Sequence, residues 1–370
     1  MATFIASQGF NINAVKEPSG EGDILRNASS TGFTWQGENG VNMIVKGSGF
    51  TFDAYGDAIN GTVNSLSMTD AGKNYFTLSG ITNMTLANSV YDTGYRVDGS
   101  LLYGIKAEIA SAMSANDAIN GSAYSDILAG FAGNDTIKGN DGNDRLEGWS
   151  GNDSLLGGNG NDTLIGGSGN DSMNGGAGND QYFVDSSQDV ISGEAAATGT
   201  DGVYSSITYT LGASSYLENL TLLSGATNAT GNSLNNTLTG NTASNTLSGN
   251  AGNDVLIGGL GRDLLIGGAG SDRFDFNSVQ ESGLGSVYRD VISDFKSSEG
   301  DKLDLSTIDA NSATASNDAF SYIGSAGFSH AGQLKLIGGI LYGNTDADAA
   351  AEFEIQLTGV TALNSTAFIL

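Results

Sequence analysis

The sequence predicts an all-β chain: a parallel β-roll, or nonapeptide solenoid, in two arrays behind an N-terminal β-rich module. Three observations predict it. Asp135, Asp144, Asp153, Asp162, Asp171 and Asp180 recur every nine residues, each preceded by Asn and Gly. An apolar side chain follows two residues after each: Ile137, Leu146, Leu155, Leu164, Met173 and Tyr182. The chain also holds 56 Gly and a single proline in 370 residues, about twice the usual ~7% glycine.

Repeats at a fixed short period mark stacked architectures. Asp126 and Leu128 read as a degenerate leading repeat of the first array. A second array keeps the same register. Asn236, Asn245, Asp254, Asp263 and Asp272 hold its acid position, and Leu238, Leu247, Leu256, Leu265 and Phe274 hold its apolar position. A low-complexity tract would not keep one apolar register across both arrays.

The repeats divide the chain into a β-rich module at 1–115, a first roll at 116–185, connecting strands at 186–230, a second roll at 231–276 and a strand-rich region at 277–370. In the first module, Gly49 to Tyr55, Thr62 to Met68 and Tyr75 to Leu78 alternate as strands between Gly/Asn/Asp turns. Leu101, Ile105, Ile109 and Met113 recur every four residues, which predicts a short amphipathic helix leading into the roll. Between the rolls, Val203 to Leu211 and Leu217 to Leu222 read as strands that cap one roll and start the next.

The formal charge is −27. Phosphate recognition needs a basic surface, so nucleic acid is excluded as a partner. With no cysteine, disulfides, thiolate zinc sites and cysteine nucleophiles are excluded. No apolar run approaches the ~20 residues of a membrane span. Met1 to Val15 has neither a basic nor an apolar signal-peptide region, so an export signal is expected elsewhere.

Acids at fixed register point to cation binding. In the nonapeptide, Gly-Gly-x-Gly-Asn-Asp makes a turn and x-apolar-x a short strand. Glycine at Gly133, Gly142, Gly151, Gly160, Gly169 and Gly178, and at Gly252, Gly261 and Gly270, gives backbone angles that a Cβ forbids. Two nonapeptides close one coil, so alternate repeats stack on the same edge. Asp135, Asp153 and Asp171 share one edge; Asp144, Asp162 and Asp180 share the other. Carboxylate and carbonyl oxygens from neighbouring turns form a hard-oxygen set suited to Ca²⁺, and less to the strictly octahedral Mg²⁺. The pairs 135/153, 153/171, 144/162, 162/180 and 254/272 are fully acidic. Asn stands in 236/254 and 245/263, which predicts weaker sites. One buried apolar side chain per nine residues is little against the entropy of ordering nine residues. Metal binding and folding are therefore expected to be one event.

These nonapeptides resemble the repeats-in-toxin, or hemolysin-type calcium-binding, family. Residues 277–370 resemble the C-terminal domain of serralysin-type proteins, through Asp290 to Phe295, Gly300 to Ser306, Ala331 to Leu334 and Phe353 to Val360. The resemblance implies an extracellular protein that a Gram-negative bacterium secretes through type I machinery, with an uncleaved C-terminal signal. The apolar end, Ala367 to Leu370, fits such a signal, although the usual preceding acid is missing. Asn344, Asp346 and Asp348, with Glu352, resemble an acidic calcium loop of this domain, in which Ala349 stands where a glycine is usual. Gly49 to Leu86 is loosely similar to β-rich modules ahead of such rolls, which implies no activity.

The resemblance does not extend to the serralysin catalytic machinery. The sole histidine, His330, excludes a His-Glu-x-x-His zinc protease by ligand count. It reads as a surface loop residue, and no Gly-x-Ser-x-Gly elbow supports a serine triad. The leading expectation is a non-catalytic calcium-binding protein. Two other readings stay open: a calcium-dependent surface adhesion or polysaccharide-binding protein, and a polysaccharide-active enzyme using Asp53, Asp57, Asp70, Asp92 or Asp98. Trp35, with Phe50, Phe52, Tyr55 and Tyr75, reads as core before it reads as a sugar platform.

Overall fold

A computed structural model of the protein describes six backbone strands between residues 3 and 85, and residues 116–370 apart from 122, 195–198 and 214. The helix expected around Leu101 to Met113 lies outside the described residues. So do Asp53, Asp57, Asp92 and Asp98, and the side chains of Trp35, Phe50, Phe52, Asp70 and Tyr75. The chain forms two compact units, 1–199 and 200–370.

In the first unit, strands Ile24–Ser29, Gly32–Gln36, Val41–Phe52, Ala58–Asp70 and Lys73–Thr85 form an antiparallel meander. Of the expected strands, Thr62 to Met68 and Tyr75 to Leu78 fall within the last two; Gly49 to Phe52 lies in Val41–Phe52, and residues 53–55 lie outside the described residues. Lys73–Thr85 pairs antiparallel with Ala118–Gly121, and there the architecture changes. From Ala118–Gly121 onward the pairing is parallel, through Thr136–Asp141, Ser154–Asn159, Ser172–Ala177 and Val190–Ile191. The intervening strands, Ile127–Ala129, Arg145–Ser150, Thr163–Ser168 and Gln181–Val184, pair in parallel with one another. The chain thus alternates between two sheets, and each residue meets the one 18 positions on: Ile137 with Leu155, Leu155 with Met173, Leu146 with Leu164.

Side chains alternate across a strand, so the apolar position of every nonapeptide faces inward. Ile137, Leu146, Leu155, Leu164, Met173 and Tyr182 are completely buried. One glycine position in each repeat makes the turn possible. Gly133, Gly142, Gly151, Gly160, Gly169 and Gly178 have φ between 126° and 147°, where a Cβ is strained. A Cβ on Gly151 would also collide with the carbonyl oxygen of Gly133, one coil back.

The second unit repeats this construction. Gly202–Ser205, Asn219–Leu222, Thr237–Thr239, Val255–Ile257, Arg273–Asp275, Lys302–Asp304 and Phe368–Ile369 stack in parallel. Tyr209–Thr210, Asn228–Thr230, Thr246–Ala251, Leu264–Ala269 and Asp290–Ile292 do the same. The segment 203–222 starts the second unit's stack. Val203 aligns with Leu220, and Leu220 with Leu238, so these residues are rungs of the second unit's own solenoid. Their buried alternation supplies what the repeat consensus lacks there. Beyond Asp290–Ile292 the sheet continues with a parallel pair to Phe353–Leu357, antiparallel pairs to Ile340–Asn344 and Gln333–Ile337, and a parallel edge strand, Ser321–Tyr322.

Each rung contributes one large apolar group to a close-packed column, so truncation leaves a cavity the rigid turns cannot collapse. Leu164→Ala is expected to destabilise the calcium-loaded protein by about 2–5 kcal/mol, measured by denaturant unfolding.

Candidate metal centre

The aspartates of the repeats sit at the turns and are almost wholly buried: Asp135, Asp144 and Asp153 are each 2% exposed, and Asp162, Asp171 and Asp180 each 1%. The two oxygens of each carboxylate have different fates. One accepts the backbone N–H of the aspartate one coil earlier. Asp135 N–H donates to Asp153 Oδ1 at 2.7 Å, Asp153 to Asp171 at 2.7 Å, Asp144 to Asp162 at 2.8 Å and Asp162 to Asp180 at 2.8 Å. The ladder expected from 18-residue spacing is thus built by hydrogen bonds between adjacent turns.

The other oxygen, Oδ2, has no hydrogen-bond donor in Asp135, Asp144, Asp153, Asp162, Asp171, Asp254, Asp263 and Asp290. Buried polar atoms are normally partnered, so a column of orphaned carboxylate oxygens needs an explanation. Their surroundings supply it. The space that a Cβ would take on Gly139 is approached by Asp144 Oδ2 and by the carbonyl of Gly157 in the next coil. Asp153 Oδ2 and Gly166 O meet in the same way at Gly148, Asp162 Oδ2 and Gly175 O at Gly157, and Asp254 Oδ2 and Gly267 O at Gly249. Hard anionic and carbonyl oxygens converge with no donor between them, which is the chemistry of a Ca²⁺ site. The residues fit the ion, and it would supply the positive charge that the column lacks.

Without a cation, burial pushes these carboxyls up. Asp135 and Asp144 rise to about 7, and Asp254 to about 6, with the charges of stacked aspartates adding to the effect. Asp263 rises to about 7 and Asp290 to about 8.

Sequence reasoning missed parts of the ladder. Asp117 donates its N–H to Asp135 Oδ1, and Asp171 donates to Asp189 Oδ1. Asn116-Asp117-Ala118-Ile119 carries the repeat's Asn-Asp-x-apolar signal nine residues before Asp126, but without the preceding glycine. In the second unit, Asp254 donates to Asp272, Asp263 to Asp290 and Asp272 to Asp301, so the ladder runs on into the region after the repeats. Asp290-x-Ile292 and Asp301-x-Leu303 keep the acid-x-apolar signal; loops of extra residues hide the register. The glycines facing Oδ2, including Gly139, Gly148, Gly157 and Gly249, were also missed as site-forming positions. Gly252, Gly261 and Gly270 lie at the turn position of Gly133, with φ of 126°, 127° and 141°. Asp126 is half-buried, and its N–H donates to Asp144 Oδ1.

The asparagine turns are different. Asn236 Nδ2 donates to the carbonyls of Leu217 and Glu218, and Asn245 Nδ2 to those of Ala226 and Thr227. Their Oδ1 atoms accept the N–H groups of Asn232 and Asn241. Amide protons satisfy these carbonyls, and both side-chain polar atoms are used.

Near the C-terminus, carboxylate oxygens of Asp346, Asp348 and Glu352 lie within 4.8 Å of one another. Asn344 is buried, and its amide ties the loop by donating to the carbonyls of Asp348 and Ala350. His330 lies on an exposed loop beside Gln333.

Stacked turns with buried, donor-free carboxylates define a calcium-binding β-roll protein. Comparison with known families agrees. Residues 111–146, 120–155, 147–182 and 156–191 match the RTX calcium-binding nonapeptide repeat, and residues 231–370 match the peptidase M10 serralysin C terminal. The chain is an RTX repeat protein with a serralysin-type C-terminal domain, and it binds Ca²⁺ at multiple sites. No curated protein matches it. Among solved structures it is similar to the extracellular lipase LipA from Serratia marcescens, at 17% identity and a TM-score of 0.19 over 68% of this chain. The chain spans 39% of that lipase. Among the described residues no helix is long and apolar enough to cross a membrane.

Two outcomes are expected. The metal-free fold holds protons on these aspartates more tightly than the unfolded chain, whose carboxyls titrate near 3.8. Its stability should therefore be greatest below about pH 4 and fall as pH rises through about 6–8. Unfolding in chelator at stepped pH checks this, and calcium affinity should rise over the same window. Asn236→Asp should add a calcium ion in titration and lower metal-free stability by about 1–3 kcal/mol, since a satisfied amide becomes an unpaired carboxylate.

Proposed function

We propose that this protein is a secreted calcium-binding repeat protein that folds when Ca²⁺ binds after type I export from a Gram-negative bacterium, and that it is non-catalytic. The observation that carries the reading is the column of buried Oδ2 atoms with no donor, repeated from Asp135 to Asp171 and again at Asp254 and Asp263. The Asp and glycine positions of both arrays are its calcium ligands. A calcium-poor cytosol leaves such carboxylates repelling one another; millimolar calcium outside closes the roll.

The C-terminal tail supports the order of events. Phe368–Ile369 pairs with Leu303 and Asp304, and Ala367 is completely buried. An exporter that reads this apolar tail must meet it before the sheet forms. The serralysin C-terminal match extends over this tail.

Calorimetric titration of chelated protein should show several calcium ions per chain, and circular dichroism should gain β signal over the same range. A chain with full β signal in chelator, unchanged by calcium, would contradict the proposal.

A further inference from the structure

The turn position after the first glycine of the nonapeptide has positive φ. It is filled by Gly158, Gly167 and Gly176 in the first unit, and by Asn140 with φ 83°. Two large aromatic residues break this rule on adjacent coils: Phe131 with φ 72° and Trp149 with φ 75°. A bulky side chain there strains the backbone, and such outliers persist where something else requires the side chain. Glycine already satisfies the backbone at this register, so the rings need a reason beyond the turn.

Their surroundings give one. The rings pack tilted at 40°, with centroids 5.4 Å apart. Phe131 is nearly buried and packs against Trp149, which is 51% exposed. On the following coil the partner of Trp149 is Gly167, which places no side chain over the ring. A cavity of about 360 Å³ opens there, lined by Arg145, Glu147, Trp149, Ser150 and Ile165. Glu147 is buried and takes both the indole N–H, at 2.9 Å, and Arg145 Nε, at 2.6 Å. These bonds fix the indole plane and leave its face to solvent.

We propose that this cavity binds a neutral sugar ring, with the indole as stacking platform and the Arg145–Glu147 pair as its polar edge. The C–H groups of a pyranose ring lie flat on an aromatic face while its hydroxyls take hydrogen bonds at the rim. Glu147 is neutralised by Arg145, and a single aromatic wall is not the cage that an organic cation selects. A net charge of −27 disfavours an anionic ligand. An uncharged polyhydroxyl ligand fits what remains. The site stands on the geometry of the first unit and does not require the export reading.

The chain has two tryptophans, so a Trp35→Phe background makes fluorescence report Trp149 alone. The calcium-loaded full chain is titrated with neutral oligosaccharides (cello-, malto- and chito-oligomers), with choline and with alginate oligomers. A saturable change with a neutral oligomer is expected. Trp149→Gly should weaken that binding, read by calorimetry, by about tenfold or more. Because glycine relieves the backbone, its melting temperature in calcium should not fall below that of the parent. Glu147→Gln, which keeps the indole, should also weaken binding. No response to any neutral oligomer, a response to choline or alginate alone, or undiminished binding by Trp149→Gly would overturn the proposal.

Discussion

Everything in this protein depends on one asymmetric carboxylate. At the turns of Asp135, Asp144, Asp153, Asp162, Asp171, Asp254 and Asp263 the aspartate gives one oxygen to the backbone N–H of the previous coil and holds the other in a buried, donor-free space. The first bond sets the vertical register of the roll. The second oxygen carries a charge that burial makes expensive, and only a cation or a proton can relieve it. The apolar column from Ile137 to Tyr182 fills the interior, but it does so one side chain per nonapeptide. The turns decide whether those side chains line up.

Glycine makes that arrangement possible twice over. At Gly151 and its equivalents, positive φ and contact with the carbonyl of the coil before leave no room for a Cβ. At Gly157 and its equivalents, the missing side chain is the space into which the carboxylate and the next coil's carbonyl point. The same absence therefore serves stacking at one position and oxygen convergence at the other. Trp149 and Phe131 stand out against this background because they put rings where the turn asks for hydrogen.

Much of the fold was legible in the sequence because acid, apolar residue and glycine repeat at one spacing, and a parallel stack turns spacing directly into contact. Ile137, Leu155 and Met173 could be placed on one column by counting. Counting failed where the count changes. Asp263 meets Asp290 and Asp272 meets Asp301 across loops that lengthen the coil, so the ladder seemed to stop at the last regular repeat. It failed also at Val203 and Leu220, which pair at a spacing of 17 rather than 18 residues. The exposed ring of Trp149 was invisible for another reason. Counting puts it at the second glycine of the motif with Gly167 as its next neighbour, but only coordinates show the exposed ring packed on Phe131 and held by Glu147.

The asparagine turns give the second unit a stretch with different internal chemistry. Around Asn232, Asn236, Asn241 and Asn245, amide groups close every loop that an ion would otherwise bridge. The side chains at these turns carry no charge to be quenched, and their amides already meet the carbonyls that an ion would take. Its backbone N–H groups still donate to Asp254 and Asp263, so the stretch joins the carboxylate turns as a rung whose own polar side chains need no metal.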